Sequence, residues 1–271
     1  MTEIFESAVL GIIQGLTEFL PISSSGHLIV LPQIFGWSGV VSSLSFDVAV
    51  HLGSLLALVA FFWKDWIRLT TSFLAALPKG AKAVVSDSDS KLLILLLIGS
   101  IPAAIIGILF KEIIENSFRS VLLVGTTTII FGILLWLFDT LSSQQRKFFQ
   151  VGWVDSIVVG AAQAVSLIPG VSRSGITITA SRFQKLERGA AVRFSFLLST
   201  PAVLGAGLIS VKDFRGADLT IFFTGFIFAA ISGWIAIKFL LAFVQKNNFN
   251  IFVIYRIIFG AFLIAWSLLN F

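Results

Sequence analysis

The chain has 271 residues, 57% of them hydrophobic and 12% charged, with a formal net charge of +5 and no cysteine. About a quarter of a soluble domain's residues are charged, so this composition excludes a soluble fold, and the missing cysteines exclude disulfides, thiolate metal sites and a cysteine nucleophile. The basic excess lies in short loops between apolar stretches, where it reads as topology signals beside anionic lipid and not as a nucleic-acid surface.

Met1 to Glu6 carry two carboxylates and no Lys or Arg, so no secretory signal is expected, since that needs a positive n-region. The first moderately apolar segment, residues 4–40, is broken by a Pro/Ser/Gly tip at 21–26. That leaves a helix of about fifteen residues before the tip and a shorter one after it, a re-entrant hairpin that dips into the membrane and returns. Spans are predicted near 45–63, 92–110 and 120–138, each long enough to cross about 30 Å of hydrocarbon. Between the first two, Lys79 to Lys91 with Asp87, Ser88 and Asp89 reads as a solvated loop without chemistry. A second hairpin over 152–190, with its tip at 169–175, precedes spans near 194–211, 219–238 and 251–270. Lipid tolerates no unsatisfied backbone, and no long apolar/polar alternation marks barrel strands, so the expected fold is an all-α polytopic membrane protein.

The two hairpins are copies. Gly11-Ile-Ile-Gln14-Gly-Leu-Thr-Glu18-Phe-Leu-Pro21-Ile-Ser23-Ser24-Ser25-Gly26 aligns with Gly160-Ala-Ala-Gln163-Ala-Val-Ser-Leu-Ile-Pro169-Gly170-Val-Ser172-Arg173-Ser174-Gly175. The register continues with Phe46 against Phe194 and Leu56 against Leu204, and Ile129-Ile-Phe-Gly132 recurs as Ile257-Ile-Phe-Gly260. Duplication gives two repeats, 1–150 and 151–271, each a hairpin plus three spans. Three crossings per repeat turn the second copy upside down. With that topology, fourteen of the 19 Lys and Arg, among them Lys64, Arg146, Arg182, Arg193 and Arg256, fall on one side. Lys111, Arg119, Lys212 and Arg215 fall on the other, with Arg173 at a tip. The positive-inside rule makes the basic side cytoplasmic, and both termini face outward.

The oppositely inserted tips can then meet near the middle of the membrane. Each starts a short helix whose free N–H groups and positive dipole end favour an anion. The first tip presents Glu18, Ser23, Ser24, Ser25, Gly26 and His27; the second presents Ser172, Arg173, Ser174, Gly175 and Thr177. Ionisable groups at membrane depth are costly and mark a functional site or a mutual pair. A Glu18–Arg173 pair that merely joins the hairpins explains neither His27 nor the many hydroxyls. These residues suit phosphoryl transfer: Arg173 clamps phosphate oxygens while hydroxyls and backbone N–H groups complete the cradle. Ser24 or His27 supplies the nucleophile and proton transfer, with Glu18 nearby. Alternatively, Glu18 holds a divalent cation together with Gln14, one turn earlier on the same helix face; with one carboxylate such an ion leans on substrate phosphates.

Gln14 to His27 and Pro169 to Thr177 resemble the two signature motifs of the bacterial undecaprenyl-diphosphate phosphatases, the bacitracin-resistance membrane family, and the resemblance covers essentially the whole chain. It implies removal of the terminal phosphate of undecaprenyl diphosphate, recycling the carrier of cell-wall precursors in the bacterial cytoplasmic membrane. It also implies a divalent cation, Mg or Ca, at Gln14 and Glu18, where other members have Glu in place of this chain's Gln14. The family's phosphate-binding Arg falls on Arg173, its essential His on His27 and its proposed serine nucleophile on Ser24. Ser24 is favoured as nucleophile, with His27 as its base or acid. Expected partners are the polyprenyl diphosphate and membrane lipid, with a homodimer left open, and the site is expected to open outward.

His51 reads as a satisfied helical histidine, Asp47 and Arg193 as a pair or as groups facing the polar interior, and the seven Trp and many Phe as interface anchors and groove lining. Inverted repeats with broken helices are also a transporter architecture, so an anion transporter or lipid flippase is the competing function.

Overall fold

A computed structural model describes residues 2–110, 118, 120–210 and 218–270, and every regular element among them is helical. The first hairpin is α1 (Thr2–Phe19) and α2 (Ser24–Phe35), followed by α3 (Leu44–Phe61), α4 (Trp63–Ala76), α5 (Ala81–Ser86), α6 (Ser88–Leu109) and α7 (Val121–Leu141). The second is α8 (Trp153–Val165) and α9 (Arg173–Phe183), followed by α10 (Arg188–Ser210), α11 (Leu219–Phe243) and α12 (Asn250–Asn270). Five helices, α3, α6, α7, α11 and α12, are long and apolar enough to cross a membrane. The sixth expected span, 194–211, falls on α10; its helix is present, but its last expected residue lies outside the described residues, and it is not among those five.

The breaks come from local sequence. Pro21 and Pro169 follow the ends of α1 and α8, and serines open the next helices as N-caps. Ser23 sits at φ 75° and Ser172 at φ 70°. The Ser23 hydroxyl accepts from the Gly26 N–H at 3.4 Å, and the Ser172 hydroxyl accepts from the Gly175 N–H at 3.1 Å. A non-glycine residue in the left-handed region costs roughly 1–3 kcal/mol. The aligned serines of both repeats carry the same strained cap, so the likeness read in the sequence extends to backbone conformation.

Packing exchanges elements between the halves. α1 packs on α11 while α8 packs on α6, α3 also lies on α11 and α10 on α6, and α7 crosses α12. The two sequence repeats are therefore not separate packing units. The crossings use glycine where backbones touch. A Cβ on Gly11 would sit 2.5 Å from the Gly225 carbonyl oxygen, and one on the aligned Gly160 would sit 2.4 Å from that of Gly99. Such small-residue contacts let helices associate in lipid, where apolar side chains gain little by leaving one apolar solvent for another.

Three expectations need correction. Arg182 and Arg256, counted above as loop cations, are both fully buried. Asp139 and the Ser142 and Leu186 carbonyls take Arg182, and backbone carbonyls take Arg256. Burial at full hydrogen bonding removes both from the topology count and leaves twelve cations on the basic side. The Lys79–Lys91 stretch is exposed for the most part but not a loop. It contains α5 and the first turn of α6, which Asp87 caps by accepting from the Ser90 N–H at 2.8 Å. The Ser72 hydroxyl and that N–H hold the Asp87 carboxyl below the usual range. Arg193 takes Asp65, at 2.6 Å, as its ion-pair partner.

Gly11→Ala and Gly160→Ala should each destabilise the purified protein by about 1–3 kcal/mol through forced helix separation. Gly205, with nothing within 4 Å of its added Cβ, is the control: Gly205→Ala should hold or raise the thermal midpoint.

Candidate active site

Glu18 lies in the last turn of α1, buried to 7% exposure, and its carboxylate is where the two hairpins join. The first residue of α9, Arg173, donates to Glu18 Oε1 across 155 positions of sequence. Ser24, the first residue of α2, donates to Oε2 at 2.6 Å, and Gln14 Nε2 donates to the same oxygen at 3.0 Å. Expected neighbours are thus brought together: acid, hydroxyl and amide from one copy, guanidinium from the other. Arg173 also donates to the Ser199 carbonyl at 3.2 Å, and the Ser174 hydroxyl donates to the Leu20 carbonyl at 3.1 Å, tying tip to tip.

The remaining tip hydroxyls have structural partners. Ser25 shares a 3.4 Å contact with Ser23, and Ser172 a 3.3 Å contact with Ser174. The Thr177 hydroxyl donates to the Arg173 carbonyl at 2.7 Å and meets Ser195 at 2.6 Å. Gly26 and Gly175 keep the helix starts open. A Cβ on Gly175 would lie 2.7 Å from Arg256 Nη1, and one on Gly26 3.2 Å from Val124.

The two histidines divide differently from expectation. His27 is buried, with Nδ1 2.7 Å from the Ser23 carbonyl and Nε2 2.5 Å from the Tyr255 hydroxyl. Its ring stacks on Phe259 at 4.3 Å. With Nδ1–H donating, Nε2 accepts from Tyr255, and both nitrogens are taken by groups other than Glu18, Ser24 or Arg173. The imidazole that meets the carboxylate is His51: Nε2 lies 3.6 Å from Glu18 Oε2, and Nδ1 donates to the Asp47 carbonyl at 2.6 Å. Helix geometry in the fold accounts for its position. Ser54, three residues on and so on the same face of α3, lies 3.5 Å from Gln14, which places His51 over α1 too. Tyr255, the single tyrosine of the chain, and Arg256 beside it were also missed as site residues; an arginine inside an apolar span is the mark that pointed there.

A divalent cation finds limited protein ligation here. Among the described residues no group of three or more His, Cys, Asp or Glu gathers as a metal site. Both Glu18 oxygens already accept from Arg173, Ser24 and Gln14. The oxygen left over is Gln14 Oε1, buried with no hydrogen-bond partner. A buried oxygen without a donor is costly, and Gln14 Oε1 is the protein oxygen that would be free to hold a cation here.

Breaking the pair should cost more than removing it. Arg173→Met leaves the Glu18 carboxylate buried without a cation and should lower stability by about 3–5 kcal/mol. The double variant Glu18→Gln/Arg173→Met should melt above Arg173→Met alone in the same detergent.

The family described as bacitracin resistance protein BacA matches residues 7–262. A protein of Thermodesulfovibrio yellowstonii named undecaprenyl-diphosphatase is 47% identical over 260 residues, covering 94% of each chain. Proteins of the same name from Desulforudis audaxviator, 42% identical over 98% of each chain, and from Pelotomaculum thermopropionicum, 44% identical over 95% of this chain and 94% of that one, agree. Matching nearly end to end, with both hairpin tips inside the aligned region, the chain belongs to the bacitracin resistance protein BacA family.

Proposed function

We infer that the chain is a multi-pass membrane phosphatase that hydrolyses undecaprenyl diphosphate to the monophosphate and inorganic phosphate, recycling the lipid carrier for cell-wall synthesis. Family membership and the names of its relatives support the reaction. The observation that carries the site assignment is the single Glu18 carboxylate bonded by Ser24 on one side and Arg173 on the other.

In this reading the terminal phosphate takes Arg173 from Glu18, and the guanidinium fork holds two of its oxygens. Freed of its cation, Glu18 accepts the Ser24 proton. Ser24 Oγ then attacks phosphorus, the bridging P–O bond breaks, and lipid monophosphate leaves with the bond's electron pair. Water hydrolyses the phosphoserine, returning the proton to Ser24 and releasing phosphate. The positive ends of α2 and α9 face the charge that develops. His51, beside Glu18, is the second group placed for proton transfer, whereas His27 holds its tip through Ser23 and Tyr255. A bound divalent cation would neutralise diphosphate charge, with Glu18 and Gln14 Oε1 as its protein oxygens.

We further propose that the repeats are inverted in the membrane, supported by the exchanged packing of α1 on α11 and α8 on α6. The basic side is placed in the cytoplasm and the termini and site opening outside; twelve cations against four favour this even without Arg182 and Arg256.

Phosphate release from farnesyl diphosphate by the purified protein separates a phosphatase from a transporter, which would bind or move the lipid without cleaving it. Ser24→Ala and Arg173→Ala should each lose about 10²-fold or more in kcat, His51→Ala should lose more than His27→Gln, and chelator should lower turnover. Retained turnover in Ser24→Ala would transfer the nucleophile role to an imidazole. Because the chain has no cysteine, Thr2→Cys reports orientation cleanly: an outward terminus reacts with impermeant thiol reagents in intact cells, and protection until permeabilisation reverses the assignment.

A further inference from the structure

We propose that Arg256 is a positioning residue whose uncompensated positive charge, held behind both hairpin tips, forms part of the electrostatic cradle for the diphosphate. The proposal rests on the phosphatase reading of the same site and adds a group outside both sequence motifs.

Four backbone carbonyls from three places in the chain accept from this one side chain. Nε donates to Thr128 in α7 at 3.0 Å, Nη1 to Pro21 in the first tip at 3.3 Å, and Nη2 to Gly170 and Val171 in the second tip at 3.0 Å each. The residue has no exposed surface. Among side chains, a planar guanidinium is the one that offers enough fixed donors for such a stitch, so the hydrogen bonds alone explain an arginine here.

They do not explain its charge. The arginines nearest the tips and helix ends each meet a carboxylate: Arg173 meets Glu18, Arg146 meets Asp155, and Arg182 meets Asp139, which Arg188 shares. Arg256 meets carbonyl dipoles, and among the described residues no carboxylate pairs with it. A buried cation without a counter-ion is costly at membrane depth. Three of the four carbonyls belong to the residues just before α2 and α9, so its charge lies behind two helix starts whose dipole ends have the same sign. All three favour the same thing, an anion in front of the tips. In a low-dielectric interior a charge acts well beyond contact distance. A diphosphate arriving at Arg173 supplies the counter-ion that the protein omits.

Gly132 allows the charge to be tested with the arginine left in place. A Cβ there would lie 3.1 Å from Arg256 Cβ and 3.4 Å from Nε, so Gly132→Asp sets a carboxylate against the guanidinium while Gly132→Asn is its uncharged isostere. With farnesyl diphosphate as substrate and inorganic pyrophosphate as competitor, Gly132→Asp should raise KM and the pyrophosphate inhibition constant about tenfold over Gly132→Asn, with kcat differing by less than about threefold. Arg256→Gln should show the same rise relative to Arg256→Lys. Equal constants within each pair, in proteins of matched thermal midpoint, would reduce Arg256 to a stitch and overturn the proposal. If either glycine variant cannot be purified folded, the Lys and Gln pair decides. A wild-type protein that releases no phosphate would instead sink the phosphatase reading.

Discussion

The buried contact between Glu18 and Arg173 is the constraint around which the molecule is organised. One partner lies in the last turn of the first hairpin's opening helix and the other begins a helix of the second hairpin, so the pair exists when both hairpins are bent and their tips meet. Two charges withdrawn from water are expensive, and their attraction offsets this cost when geometry and further hydrogen bonds are good. Ser24, Gln14 and the Ser199 carbonyl provide those bonds. A pair so placed suits an enzyme for an anionic lipid, because phosphate can replace the carboxylate on the guanidinium without leaving it unpaired at any stage.

Around this pair the arginines divide the work by their counter-ions. Arg182 is enclosed by Asp139 and carbonyls, and Arg188 shares that carboxylate at 2.9 Å, which ties the far end of α9 to α7 through one shared counter-ion. Arg146 makes two bonds to Asp155, at 2.7 and 2.6 Å, anchoring the start of α8. Arg256 differs in taking backbone oxygens from both tips. The strained caps at Ser23 and Ser172 persist because the surrounding bonds fix them, and Arg256 and the Thr127 hydroxyl, 2.7 Å from the Pro169 carbonyl, are part of that enclosure.

Much of the candidate site's grouping was legible before the fold. Glu18, Ser24 and Arg173 stand out because polar groups in apolar sequence have few explanations, and the repeat alignment placed two tips in correspondence. The histidines were not separable by the same logic. His27 belongs to a tip and reads as chemical, yet its ring turns into an aromatic bed of Phe259 and Tyr255. His51 lies in a span and reads as structural, yet it leans on Glu18. Which face of a helix a side chain occupies against a distant partner is set by rotation and crossing of helices, and no local pattern encodes it.

By itself the sequence determined the membrane class, the helical segments, the two broken hairpins and the likeness of their tips. Each of these follows from hydropathy, from proline and serine at the breaks, or from repetition, all properties of short stretches of chain. The tertiary structure decided that α1 packs on α11 and α8 on α6, that His51 meets the carboxylate, and that Arg182 and Arg256 are interior. Those outcomes depend on glycine contacts and on hydrogen bonds that join residues as far as 235 positions apart. An arginine's charge is visible in the chain, but whether it serves topology, structure or substrate depends on the acceptors that folding brings to it.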